Sequence, residues 1–208
     1  SIAAVAELLE KEKFSPSMAD FAARASQGHI GRARHLAKSE EARTRRQAIL
    51  KISLMITDIA SAFKAAQVLV EAAKAEAEEE AERRDDAEIS ALKEAWGQQG
   101  SKLTQGGSKA VKELEKEQKS RTTRMVRDYL DRALLDIATL YRDILLIQSN
   151  SLDSIINTDL ISEITKIAEA TTPEATLAKL EAIMSARTNL SHNAAPLLTI
   201  EALMVLLK

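Results

Sequence analysis

The sequence predicts an all-α protein, and three observations support this prediction. Hydrophobic residues make up 45% of the chain but aromatic residues only 3%, and the abundant Ala, Leu, Glu and Lys favour helices over strands. Six glycines and three prolines interrupt 208 residues, so the helices should be long. Apolar residues also recur every three or four positions over much of the chain.

Three short helices are predicted first. One covers 2–12, a second is N-capped by Ser15 and ends before Gly28, and a third runs over 30–38. This unit is too small to be stable alone. Because the chain also starts without Met, it is expected to be a piece of a longer protein, with the unit packing on something upstream.

One amphipathic helix is predicted over 46–70. Its apolar residues are Ile49, Ile52, Leu54, Met55, Ile56, Ile59, Phe63 and Ala66. Residues 71–86 then carry eight acidic and three basic side chains and no large apolar one. Apolar residues return briefly at Ile89, Leu92 and Trp96.

A glycine-rich loop is predicted over 97–108 and a continuous helix over 109–148, roughly 60 Å long. The first part of that helix is mostly basic, and its apolar stripe resumes at Met125. The pattern predicts a helical hairpin whose charged outer half, 71–120, projects into solvent.

Three shorter helices are predicted in the last third. One covers about 158–170, one is capped by Thr172 and runs to Leu190, and one starts near Pro196 or Thr199. The second is expected to bury its apolar residues Leu177, Leu180, Ile183 and Met184.

Composition excludes several classes of function. The net charge of -2 gives no field that would attract nucleic acid or an anionic membrane. The absence of cysteine excludes disulfides and thiolate metal sites and is compatible with a reducing cytoplasm. No apolar run reaches the ~18 residues that a membrane span needs. We expect a cytoplasmic protein without membrane contact.

No catalytic, cofactor or metal site is predicted. The glycines in 97–109 lack the spacing of a phosphate-binding loop and do not follow a strand. His29, His35 and His192 have no cysteine or i, i+4 histidine partner, and no Ser/His/Asp grouping is evident.

Two charged stretches face each other in the predicted hairpin. The acidic run over 76–82 and the basic residues over 109–124 are expected to pair and to be solvated. The acidic run could also bind a basic partner. Nucleic-acid binding by the basic arm is possible, but no aromatic residues are interleaved to stack on bases.

A basic cluster begins in the segment 25–37. A helix that starts at Gly28 or His29 could hold a phosphate at its amino end. The alternative, which spacing alone favours, is an ordinary short helix with a tight glycine turn.

This segment resembles the sensor-2 stretch in the lid domain of bacterial clamp-loader subunits of the AAA+ family. Gly28 matches the family's glycine, Ala33 matches its alanine, and Gly31 falls where ATP-hydrolysing members have the sensor arginine. The delta prime family commonly has this glycine and does not hydrolyse ATP. Arg32 and Arg34 lie near the turn but out of register, so the resemblance implies a vestigial turn without a sensor arginine.

The segments 131–145, 182–196 and 203–204 are similar to the collar domain of the delta prime family, in its actinobacterial form. The resemblance implies the end of a lid domain over 1–38 and a collar domain over 39–208. The charged hairpin is longer than a typical collar has. The nucleotide-binding core would lie upstream.

The function implied is that of a non-catalytic subunit. It would oligomerise with gamma/tau and delta subunits in a five-membered ring that loads the sliding clamp onto primed DNA. The residues expected in the collar core or interface are Tyr129, Tyr141, Leu145, Met184, Leu203 and Met204.

Three alternatives stay open. A gamma/tau ATPase subunit would need an arginine at position 31. A stand-alone helical adaptor would use the charged hairpin as a partner-binding arm. A nucleic-acid-binding helical domain would show a steep salt dependence, and the near-zero net charge argues against it.

Overall fold

The computed structural model describes residues 1–96 and 104–208. Within these ranges the fold is all-α, as predicted, with nine α-helices, two 3₁₀ turns and no strand. The helices are α1 (Ile2–Lys11), α2 (Pro16–Ala25), α3 (Ile30–Lys38), α4 (Glu40–Leu54), α5 (Ile59–Ala95), α6 (Gln105–Gln148), α7 (Ile161–Ala170), α8 (Pro173–Ser191) and α9 (Pro196–Leu207). The 3₁₀ turns, Leu152–Ser154 and Thr158–Leu160, lie between α6 and α7.

The first three helices agree with their predicted bounds and enclose a small core of their own. Short side chains fill most of it, with Leu9 and Leu36 as its larger buried members. Ala42 of α4 and Ile156, between the two 3₁₀ turns, belong to the same cluster. The α1–α3 unit is therefore joined to the rest of the chain by apolar contacts from two other segments.

Helix α6 is the centre of the main core. Its 44 residues span roughly 66 Å, and it packs against α4, α5, α7 and α8. Helix α9 closes the bundle by packing on α5 and α8. The large side chains that are fully buried here include Leu130, Leu134, Ile137, Ile144, Ile164, Ile183 and Ile200.

The prediction of one helix over 46–70 is wrong. The chain leaves the helix after Leu54 and re-enters it at Ile59. Asp58 starts the new helix with a reciprocal cap: its carboxylate accepts from the Ser61 amide at 2.7 Å, and its own amide donates to the Ser61 hydroxyl at 2.9 Å. The cap redirects the chain, and Met55, Ile59 and Phe63 are 72%, 53% and 45% exposed instead of buried.

The predicted loop over 97–108 is also too long. Residues 97–103 lie outside the described ones, and the helix α6 already begins at Gln105. The Thr104 hydroxyl caps it by accepting from the Gly107 amide at 3.1 Å. Gly106 sits against the Trp96 ring, where an added Cβ would lie 2.9 Å from a ring carbon. The two glycines therefore belong to the first turn of the helix.

The opposed arms of the hairpin do form ion pairs, but in a different register from the expected one. Arg121 bonds Glu88 and lies 3.6 Å from Asp85, both beyond the acidic run. Within the run, Glu76 pairs with Arg45 of α4 at 2.7 Å, and Glu80 accepts from the Tyr129 hydroxyl. The acidic arm is thus partly neutralised by α4 and not only by the basic arm.

The cap predicted for α8 and the start at Pro196 predicted for α9 are correct, but part of the predicted burial is wrong. Thr172 caps α8, and Ile183 is fully buried. Leu177 and Met184 are 49% and 44% exposed, because they lie on the outer face of α8. On α9, Leu203 and Met204 are buried while Leu206 is 62% exposed.

Two isoleucines test this burial pattern. Ile137→Ala should lower the free energy of unfolding by about 3 kcal/mol, because it empties a fully buried site. Ile59→Ala, at a half-exposed site, should change it by less than about 0.5 kcal/mol. Urea unfolding followed by circular dichroism measures both. Equal losses would contradict the break between α4 and α5.

The Glu88–Arg121 bond predicts a pH dependence of hairpin stability. Hydrogen bonds from Arg121 and then Gln118 lower the pKa of Glu88 from 4.5 to about 2. The lowered pKa means that this contribution is present above pH 4.5 and is lost as the pH falls towards about 2. The stability difference between wild type and Glu88→Gln should therefore be largest at neutral pH and shrink below pH 4.5. A difference that stays constant down to pH 2 would exclude the bond.

Candidate functional site

The glycine turn between α2 and α3 has the backbone that the sequence suggested. Gly28 has φ +80°, and its amide donates to the Ala23 carbonyl at 2.9 Å, closing α2. His29 then caps α3, since its Nδ1 accepts from the Arg32 amide at 3.3 Å. This bond uses one of the free amides that a phosphate at the amino end of α3 would need. The ordinary glycine-turn interpretation is the one that fits.

The two arginines next to this turn, Arg32 and Arg34, pair with carboxylates of the same chain. The Arg34 guanidinium holds Glu12 with bonds of 2.8 and 2.5 Å from Nε and Nη2, which lower the pKa of Glu12. Arg32 bonds Asp136 of α6. Gly31 is exposed beside the His29 ring. The turn therefore presents no free arginine where the resemblance would need a sensor residue.

A buried polar junction lies behind this turn. The Arg46 side chain is 4% exposed, and its Nε donates to Asp136 at 2.9 Å. Its Nη2 donates to the Thr139 hydroxyl at 3.1 Å and to the Asn157 side-chain carbonyl at 2.6 Å. Asp136 thus forms ion pairs with Arg32 of α3 and with Arg46 of α4.

Asp143, two turns further along α6, holds the segment between the 3₁₀ turns. Its Oδ2 accepts from the amides of Ile156 and Asn157 at 3.0 and 2.8 Å, and from the Asn157 side chain at 2.7 Å. Asn157 therefore connects the Asp143 carboxylate to the Arg46 guanidinium. The α1–α3 unit, α4 and this connecting segment all meet on one face of α6.

Burial raises the pKa of both carboxyls in the junction. At Asp136 the positive charges of Arg32 and Arg46 oppose this effect, and at Asp143 the hydrogen bonds from Asn157 do so. Arg142 also donates to Asp143 at 3.2 Å, so each carboxylate of the junction has an arginine partner. Such a network holds the helices together.

The six residues predicted for a core or an interface are not brought together in one surface. Tyr141, Leu203 and Met204 are buried in the main core. Leu145 is half-buried and Met184 is exposed. Tyr129 is partly exposed, and burial together with its bond to Glu80 raises its pKa to about 12.

Sequence reasoning missed an exposed apolar surface at one end of the bundle. We call Met55, Ile59, Phe63 and Leu206 the end patch; all four are at least 45% exposed. Hydrogen bonds from Ser61 chiefly lower the pKa of Asp58, and the charge of Lys208 adds to this effect. Since α9 also packs on α5, the carboxyl end of α9 lies near the start of α5. Grouped exposed apolar residues are typical of protein–protein contact sites. The signal in the sequence was the Asp58–Ser61 cap, which starts a new helix between Met55 and Phe63.

The described residues contain no group of three His, Cys, Asp or Glu side chains that could hold a metal ion. Nor is any helix of the described ranges long and apolar enough to cross a membrane.

Comparison with known proteins gives one finding. Residues 127–207 match the family model described as DNA polymerase III, delta subunit, C terminal. No curated protein and no solved structure matches the chain. The matched range starts within α6 and runs through α9. Over this range, the chain is similar to the C-terminal part of the DNA polymerase III delta subunit.

The junction predicts a large difference between two aspartates of α6. Asp136→Asn should lower the free energy of unfolding by about 3 kcal/mol, because Arg32 and Arg46 would stay buried without a countercharge. Asp131→Asn is the matched control, since Asp131 pairs with Arg187 in a more exposed position. It should cost no more than about 1 kcal/mol. Chemical unfolding of the two variants under one set of conditions measures both, and equal costs would rule out a structural role for the junction.

Proposed function

We propose that the chain is the C-terminal part of the delta prime subunit of a bacterial clamp loader. It oligomerises with gamma/tau and delta subunits, so that the complex loads the sliding clamp onto primed DNA in the cytoplasm. The observation that carries the proposal is the family match over 127–207. The match names the delta subunit, so the choice of delta prime depends on the glycine turn.

Gly31 supports delta prime over an ATP-hydrolysing subunit. The sensor arginine of ATPase members would stand at this position, and a glycine has no side chain to reach a nucleotide. The neighbouring Arg32 and Arg34 do not replace it, since each is bonded to a carboxylate of the chain. The purified chain should neither bind ATP tightly nor hydrolyse it.

The division of the chain belongs to the same proposal. Residues 1–38 would be the end of the lid domain, and 39–208 the collar domain with its charged hairpin over 71–120. The separate apolar cluster of α1–α3 supports a boundary near Ser39, which ends α3 and caps α4. The junction around Asp136 would then hold lid and collar together.

The end patch is the surface proposed for subunit contact. It lies partly on α9, within the matched range, and its exposed side chains could be buried by a neighbouring subunit. Phe63 and Leu206 contribute to it from two different helices. Burying the exposed part of such residues would add roughly 1–2 kcal/mol each to association.

Light scattering after size-exclusion chromatography tests the assembly. The chain mixed with gamma/tau and delta collar fragments should elute with them, at the mass of one copy in a five-subunit ring. Phe63→Glu combined with Leu206→Glu should abolish co-elution while the thermal unfolding of the chain alone stays the same. Lys64→Glu, which places a glutamate beside the patch, should leave assembly intact. A chain that stays monomeric beside both partners would refute the proposal.

A further inference from the structure

A groove runs between α4 and the α5–α6 hairpin. Two adjoining cavities, of 430 and 380 Å³, form it. They share five lining residues, Arg45, Ile49, Glu76, Tyr129 and Ala133. We call the joined cavities the α4 groove. It lies apart from the end patch, and the junction residues Arg32, Arg46 and Asp136 form part of its wall.

One end of the groove is basic. His29, Arg32 and Arg132 line it, with Arg45 at its inner limit. The Arg132 guanidinium lies 4.2 Å from the centre of the Tyr129 ring, and its Nε donates to the Asp128 carbonyl. No carboxylate of the described residues lies within ion-pair distance of Arg132, in contrast to Arg32 and Arg45. Its charge is therefore available to a ligand.

The other end is acidic and has an apolar floor. Glu41 and Glu79 stand at its rim. The floor consists of Ile49 and Ile52 from α4 and of Val68 and Leu69 from α5. Val68 is 41% exposed. Both walls carry their apolar residues at helical spacing, which leaves ridges for a third helix to pack against.

Arg45 marks the middle of the groove. It pairs with Glu41 at 3.1 Å and with Glu76 at 2.7 Å, yet its side chain is 40% exposed. The two ion pairs hold the side chain in place, and its exposed part is open to a bound chain.

We propose that the α4 groove binds an amphipathic helix of a partner protein. The partner's apolar face would lie on Ile49, Ile52 and Val68, and its acidic end at Arg132. The unpaired charge of Arg132 fixes this orientation, and the apolar floor supplies the affinity. The inference is independent of the proposed function, because it uses neither the family match nor the end patch.

Selection from a displayed library of random peptides tests the proposal, with the full chain as the target. Selected peptides should combine apolar residues at i, i+3, i+4 and i+7 with acidic residues at one end. A labelled peptide made from the enriched sequence then serves as the probe in fluorescence polarisation. Arg132→Glu should weaken its binding by about tenfold or more. Arg124→Glu, an exposed arginine two turns earlier on α6, should change it by less than about twofold.

The Val68→Glu variant distinguishes a loss of peptide binding from a loss of folding. Val68 is 41% exposed, so a glutamate at this position can reach solvent. The substitution should leave the thermal unfolding of the chain nearly unchanged while it abolishes peptide binding. The proposal would be overturned if the enriched peptides contained no acidic residues, or if the probe bound the Val68→Glu variant as well as it binds wild type. A selection that enriches no peptide would also overturn it. The clamp-loader assembly could fail its own test without affecting any of these outcomes.

Discussion

The buried ion pair between Arg46 and Asp136 is the interaction on which the arrangement of the helices depends. A charge in such a position is costly unless it is paired and hydrogen-bonded. Here the pairing requires three separate helices: α3 brings Arg32, α4 brings Arg46 and α6 brings Asp136. Moving any one of them would leave a charge without its partner. The pair therefore fixes the position of the α1–α3 unit on the bundle. The alanines that fill most of the apolar cluster could not fix this position as closely, because their contacts have no direction.

Helix α6 makes this arrangement possible because it is long and continuous. One stretch of it presents Asp136 and Asp143 to the junction, while Leu134, Ile137 and Ile144 fill the main core. The same helix enters the range that matches the clamp-loader family, and α9, at the end of that range, closes the bundle. A bundle with paired charges inside and exposed apolar residues at one end is suited to contact with another protein.

Local signals in the sequence predicted much of the fold, and long-range ones were missed. Ser15 and Thr172 were correctly predicted as caps, because a cap involves residues only three positions apart. The break at Asp58 was missed since the apolar pattern continues across it. The junction could not be predicted, because Arg46 and Asp136 are 90 positions apart. No local sequence pattern around either residue indicates that the two side chains pair. The backbone of the glycine turn was predicted correctly. The pairing of its arginines with Glu12 and Asp136 was not predicted.

Native-state hydrogen exchange tests most directly whether the junction makes the α1–α3 unit and the bundle one cooperative body. The amides of Ala33 and Leu36 in α3 would be compared with those of Ile137 and Leu140 in α6, all four of which are buried residues. A single opening free energy for both helices, sensitive to denaturant to the same degree, is the result predicted here. If α3 exchanged through a separate opening of much lower free energy, the junction would not control how the helices are held together.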